Sequence, residues 1–445
     1  TDRLRMLAAW LAEGRASNLD AGLGIMLGSP AGAPRIGLLF TGQGSPAHLG
    51  GGAWRRRFDF VDELYVQAAL PTGGDSVATE VAQPAIVTAS AAGLAVLERL
   101  GVTGVVAVGH SLGELTALFW GGAYDRDALL RIARARGRAM ADLGDPTGGM
   151  AGLRAGRDEV ERLIAGEAVV IAGLNSRQQT VVSGESEAIA AVLAKAKAKG
   201  LRAVRLAVSH AFHSPLVAAA TPALREHLVR EEFRPLRRSV VSTITGRPLN
   251  AEEDLREILC RQVTSPVRFM EALNLAAKDV DLWIEVGPGE VLRGLAAESL
   301  DQPIIATDAG GPSLRGLLLA VGAAYVLGAP VDREALFAGR CVKPFDIDRR
   351  PVFLMNPCEQ APSVEGETAS DAVEGGGRER GYPPAKAGGS KAAGGTGAKA
   401  GGLGTRAEGA GAAAIAPGAT PLEVVRQLVA ERTELPVSAV RDDSR

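Results

Sequence analysis

The 445-residue chain is poor in cysteine. Cys260, Cys341 and Cys358 lie far apart, and no Cys-x-x-Cys pair occurs. That argues against a disulfide framework or a cysteine zinc site, and it fits a reducing cytoplasm. Net charge is also scarce, at −2 near neutral pH, with no strongly basic face, so nucleic acid is not an expected partner. No apolar run approaches the length that crosses a bilayer, and no membrane association is expected. The opening "TDRLRMLAAWLAEG" sets Leu4, Leu7 and Leu11 on one helical face among charges, which is not a secretory signal. Bases are few as well: the histidines are His48, His110, His210, His213 and His227. What the chain has is length enough for two to four domains and an ordinary 46% hydrophobic content.

One stretch stands out. "VVAVGHSLGELTALFW", residues 105–120, runs an apolar strand into a helix with Ser111 at the corner, between Gly109 and Gly113. Gly-x-Ser-x-Gly is the spacing of a nucleophile elbow, where side chains beside the serine would clash and helix amides face a developing oxyanion. Val105, Val106, Ala107 and Val108 read as a buried strand, and Leu112, Leu115, Leu118 and Phe119 as a helix face. A glycine-rich turn with an incidental serine has the same local pattern.

The surrounding chain alternates strands and helices. "RIGLLFTGQG", "SVVSTITG", "LWIEVGPG" and "PIIATD" read as strands, "PAIVTASAAGLAVLERLG" and "SLRGLLLAVGAAYVLG" as helices. This predicts an α/β, hydrolase-like core with a mostly parallel sheet covered on both faces. Residues 148–207 have a β-α-β-β-α-β order, a ferredoxin-like subdomain inserted in that core. The expected division is an N-terminal linker helix region at 1–34, the core at 35–147 and 208–330, and a following linker at 331–356. A Gly/Ala-rich flexible linker follows at 357–419. At 420–445 a new helix begins with Thr420 as cap, Pro421 at its first position and Glu423 completing a capping box. Its apolar face has no partner in this chain, which reads as a segment of something larger.

A serine nucleophile needs a base, and His210 and His213 share the short motif "SHAFHS" just after the insertion. Spacing alone does not choose between them.

"FTGQGS", "GHSLGE", "RGRAM", "SHAFHSPL" and "EVGPGEVL", in this order around a ferredoxin-like insertion, resemble the malonyl-CoA:carrier-protein acyltransferase family. More narrowly, the chain is similar to the acyltransferase domain of a polyketide synthase over roughly residues 35–330. The resemblance implies that Ser111 is the nucleophile and His213 its base. It implies that the backbone carbonyl of Gln262 in "CRQVTSPVRF" orients that histidine, and that the Gln43 and Leu112 amides form the oxyanion hole. Arg136 matches the arginine that holds the free carboxylate of a malonyl group. A planar guanidinium suits that task better than an ammonium, although Arg131, Arg134 and Arg138 crowd the same helix. Gln83, Asn175, His210 and Phe212 match further positions near the family's site.

The implied reaction moves malonyl from malonyl-CoA to Ser111 and on to the phosphopantetheine thiol of an acyl carrier protein, with no metal or bound cofactor. The carrier and other synthase domains are the implied partners. "HAFH" marks malonyl over methylmalonyl selection in the family, and Phe212 occupies the space an α-methyl would need. The C-terminal segment is similar to the start of a carrier domain and stops before its Asp-Ser-Leu attachment motif. An acyltransferase followed directly by a carrier resembles the domain order of iterative synthases of the enediyne type. The alternatives are a serine hydrolase or thioesterase, which would pair its histidine with Asp or Glu, a methylmalonyl-selective acyltransferase, and a decayed scaffold without chemistry.

Overall fold

A computed structural model describes residues 2–339 except 16, 29–31, 72 and 74. The expected flexible linker at 357–419 and the carrier-like segment at 420–445 therefore lie outside the described residues.

The core is built on five short strands in the spatial order Ile304–Ala306, Leu282–Val286, Ile36–Phe40, Val106–Gly109, Ser239–Val241. Every neighbouring pair is parallel, so the α/β expectation holds. The first strand in sequence lies at the centre, and the chain winds outward from it in both directions. Such a sheet presents a crevice at its carboxyl edge where the winding reverses. Both faces are covered, which is why Ile36–Phe40 is apolar at every side chain it has: Leu38 and Phe40 pack to one side, Leu39 to the other. The Ser111 strand is Val106–Gly109, shifted one residue toward the serine from the expected 105–108, because Val105 lies exposed before it.

The helix Thr79–Arg99 packs on the face of this sheet that Leu38 and Phe40 line. By length and mean hydropathy (1.4) it could cross a membrane, contrary to the sequence expectation, but 83% of that window is buried inside the protein. Residues 148–207 contribute an antiparallel sheet in the order Val169–Ser176, Gln179–Glu185, Gly148–Leu153, Ala203–Arg205, with the helices Arg157–Ile164 and Ser186–Ala198 packed on it. The edge strand Val169–Ser176 is also stitched to the core: Leu174 N–H donates to Val267 O (2.8 Å) and Val267 N–H to Ala172 O (2.9 Å).

The N-terminal region departs from a plain helix and connection. After the helix Asp2–Ala12 comes an antiparallel pair, Asn18–Asp20 with Ile25–Leu27. Three-residue strands are too short to show alternation, so nothing in the local pattern announces them.

Candidate active site

Ser111 sits where the strand Val106–Gly109 turns into the helix Gly113–Gly121. Its φ is +51°, in the left-handed region that costs a side-chain-bearing residue roughly 1–3 kcal/mol. The two flanking glycines are steric necessities. A Cβ on Gly113 would overlap the Phe40 carbonyl of the neighbouring strand, and one on Gly109 would overlap the Gly113–Glu114 peptide. Both obstacles are backbone and cannot swing aside. Gly113→Ala is therefore expected to destabilise the fold by about 3 kcal/mol or more, read as a lowered urea midpoint.

His213 closes on the serine from the other side. Ser111 Oγ–H donates to His213 Nε2 at 2.7 Å. The opposite ring nitrogen, Nδ1–H, donates to two backbone carbonyls, Gln262 O at 3.0 Å and Ser265 O at 2.9 Å. Carbonyls only accept, so they place the proton on Nδ1 and leave Nε2 able to receive one. His213 also has a left-handed backbone, φ +59°, which turns its side chain back toward the elbow. Burial, then the charge of Arg136 and of His110, holds the imidazole down to about 3. It is neutral near pH 7.

Arg136 arrives from the helix Arg126–Leu143, capped by Asp125, which accepts from Ala128 N–H at 2.8 Å. Leu129, Ile132, Ala133, Arg136 and Met140 share the buried face, so Arg136 occupies a core position at helical spacing. Its helix neighbours behave differently: Arg131 makes two bonds to Glu231 (2.9 and 2.7 Å), Arg134 donates to Ala68 O, and Arg138 is exposed. Arg136 is only 3% exposed, its Nε has no hydrogen-bond partner, and among the described residues no carboxylate pairs with it. Burial lowers it to about 10, so it stays charged. The charge of buried Glu114 reaches it without a hydrogen bond, and a buried cation without a close partner is costly; this one faces a cavity.

That cavity, of about 950 Å³, lies between the core and the inserted subdomain. Gln43, Ser111, Arg136, Phe212 and His213 line it from the core, together with Gly42 and His110; Asn175, Gln179, Met150 and Val181 line it from the insertion. His110 Nε2–H donates to Asn175 Oδ1 (2.9 Å), and Asn175 Nδ2–H to Gln179 Oε1 (3.0 Å), linking the two lobes across the cavity wall. The Gln43 side chain is fixed by Gln83 Nε2–H (3.0 Å) and by Thr79 Oγ1 (3.1 Å). Gln83 is thus a support behind Gln43, outside the cavity lining. Leu112 buries its side chain away from the cavity, while its N–H meets no acceptor among the described residues.

His210 is the residue the structure separates from the others. It is absent from the cavity lining and turns to Ser209 Oγ at 2.9 Å (Nδ1).

Two features were not anticipated. Ser265 O is a second acceptor for His213, which no side-chain pattern can announce. Glu114, three residues past Ser111, is fully buried and accepts hydrogen bonds from Ser242 Oγ, Thr243 Oγ1 (3.1 Å) and Gln262 Nε2 (3.3 Å). Burial pushes its carboxyl up to about 7. A lone acid opening the apolar run "ELTALFW" was the available signal.

Comparison with known proteins places this geometry. The acyl transferase domain family matches residues 39–314. Polyketide synthase GfsA of Streptomyces halstedii is 33% identical over 361 residues, 74% of this chain and 5% of that synthase. Malonyl CoA-acyl carrier protein transacylase of Bacillus subtilis (strain 168) is 34% identical over 283 residues, 59% of this chain and 89% of the transacylase. Among solved structures, the acyltransferase domain of the iterative polyketide synthase in enediyne biosynthesis is 42% identical with a TM-score of 0.66. That likeness covers 76% of this chain and 82% of the other. The chain spans a small part, 5 to 21%, of the first curated synthases it matches.

Proposed function

The chain belongs to the acyl transferase domain family, and from that premise we propose that it transfers malonyl from malonyl-CoA to an acyl carrier protein. The observation that carries the reading is the Ser111–His213 contact of 2.7 Å sharing one cavity with the buried guanidinium of Arg136, whose Nε has no hydrogen-bond partner. A nucleophile with its base, beside a buried cation that no carboxylate hydrogen-bonds among the described residues, suits a thioester that carries a free carboxylate.

In this reading His213 Nε2 takes the Ser111 proton as Oγ attacks the thioester carbon. The amides of Gln43 and Leu112 face the oxyanion. The tetrahedral adduct collapses, the C–S bond breaks, and His213 returns its proton to the departing coenzyme A sulfur. Malonyl is left as an ester on Ser111, its carboxylate on Arg136. The thiol of a carrier's phosphopantetheine then gives its proton to His213 and attacks the ester. Ser111 regains the proton as malonyl leaves on the new sulfur. His213 is oriented by carbonyls, so no step calls on a third carboxylate, which the hydrolase alternative would use. Both substrates are intracellular metabolic carriers, in keeping with a cytoplasmic setting. The carrier and neighbouring synthase domains are the proposed partners.

The test is a brief incubation with malonyl-CoA, methylmalonyl-CoA or acetyl-CoA, followed by intact mass and peptide mapping, with Ser111→Ala as control. Malonyl on Ser111, little acetyl, and faster discharge when carrier is added are the expected results. Discharge to water that ignores the carrier would make the protein a hydrolase, and no label with any thioester would end the proposal. Phe212 lines the cavity, and in this reading it takes the space an α-methyl group would use. Phe212→Ser is expected to raise the methylmalonyl-to-malonyl labelling ratio about ten-fold, the value of one methyl in a pocket. An unchanged ratio would remove Phe212 from selection.

A further inference from the structure

We propose that Glu114 is a positioning residue for the Ser111–His213 pair, acting through the side-chain amide of Gln262; the inference rests on the proposed use of that pair. Gln262 is attached to both partners. Its backbone carbonyl accepts from His213 Nδ1–H at 3.0 Å, and its side-chain Nε2–H donates to Ser111 O at 2.9 Å. One residue thus spans the base and the elbow. The amide is nevertheless under-determined from its own side, because Gln262 Oε1 is buried with no hydrogen-bond partner. Turned by 180°, the same amide would set Oε1 against Ser111 O, two acceptors face to face.

Glu114 reinforces the observed orientation. Its Oε2 lies 3.3 Å from Gln262 Nε2, so the second amide hydrogen has an acceptor only in the gripping orientation. Glu114 is itself fixed by Ser242 and Thr243, which follow the strand Ser239–Val241, and Thr243 Oγ1 also lies 3.0 Å from Gly109 O at the start of the elbow. The carboxyl therefore joins two adjacent strand ends to the helix Leu255–Gln262. It does not line the cavity, and it acts without touching the acyl group.

The experiment compares Glu114→Met, which has no acceptor, with Glu114→Gln, which keeps one, alongside Gln262→Met and the double variant. Two rates are read per modifiable Ser111, quantified by mass: inactivation by phenylmethylsulfonyl fluoride, and acylation by malonyl-CoA. Glu114→Met and Gln262→Met are each expected to slow both rates by about ten-fold with KM for malonyl-CoA within about two-fold. Glu114→Gln is expected to recover part of the loss, and the double variant to be no slower than either single one. A merely structural Glu114 would lower the modifiable fraction and leave the per-site rates alone, which overturns the proposal, as do losses that multiply in the double variant. If Glu114→Met does not fold, the cycle of Glu114→Gln with Gln262→Met carries the same decision. Wild-type protein that reacts with the sulfonyl fluoride but not with malonyl-CoA would refute the malonyl reading alone, and the first rate would still judge Glu114.

Discussion

Replacing His213 with alanine is expected to slow acylation of Ser111 by about 10³- to 10⁴-fold, measured by single-turnover mixing with malonyl-CoA. Among the described residues the imidazole is the one base within hydrogen-bond reach of Ser111 Oγ, and both its nitrogens are committed, one to the serine and one to backbone carbonyls. A pH signature goes with it. An ordinary histidine base, at about 6.5, would be some thirty-fold depleted in its neutral form at pH 5. His213, held down to about 3 by burial and by the nearby charges, remains neutral there. The wild-type kcat/KM for acylation should therefore change less than about two-fold between pH 7.5 and 5. A malonyl carboxylate bound to Arg136 would cancel one of the charges that disfavour the imidazolium. The acid limb of kcat should accordingly lie above that of kcat/KM. A drop of kcat/KM centred near pH 6.5 would contradict the assignment.

Arg136→Ala should have the second large effect, and it should act on selection. Two charge-assisted bonds to a carboxylate are worth about 3–4 kcal/mol in a buried site, so malonyl acylation should fall by about 10²- to 10³-fold. Acetyl-CoA brings no carboxylate and has nothing to lose. Its labelling should hold or rise, and the malonyl-to-acetyl ratio should collapse. Arg136→Lys keeps the charge but not the paired donors, and should recover only part of the ratio. Equal losses for both thioesters would mean that Arg136 supports the cavity rather than the acyl group. The guanidinium is well placed to show the difference because its Nε has no hydrogen-bond partner and, among the described residues, no carboxylate lies within ion-pair distance of it.

How much of this could be read beforehand depended on the kind of constraint involved. The Ser111 turn was legible because its geometry excludes side chains at Gly109 and Gly113, and an exclusion leaves a mark in the letters. The βαββαβ order of the insertion was legible for a similar reason, since burial on one face imposes a period. The choice between His210 and His213 was not legible from spacing. It depends on a left-handed backbone at His213, for which histidine carries no marker; the His213 ring meets Ser111 while the His210 ring meets Ser209. Arg136 looked like its neighbours on an arginine-rich helix until packing set it on the face with Ile132 and Met140. The carbonyl of Ser265 is the extreme case, because every residue has one. Glu114 was visible but easily misread, since an acid in the first turn of a helix usually faces water and the helix dipole.

The stitching of Val267 to the edge strand of the inserted subdomain bears on recombination between synthases. Val267 lies two residues after Ser265, whose carbonyl orients His213. A graft cut cleanly at 148 and 207 would bring a foreign strand edge against that residue and shift the anchor of the base. Chimeras made to change the acyl group would then lose turnover for reasons unrelated to the pocket they import. Grafts that carry the Ser265–Val267 segment along with the insertion should keep the anchor and its new neighbour in register, and the breakpoint for exchanging specificity moves accordingly.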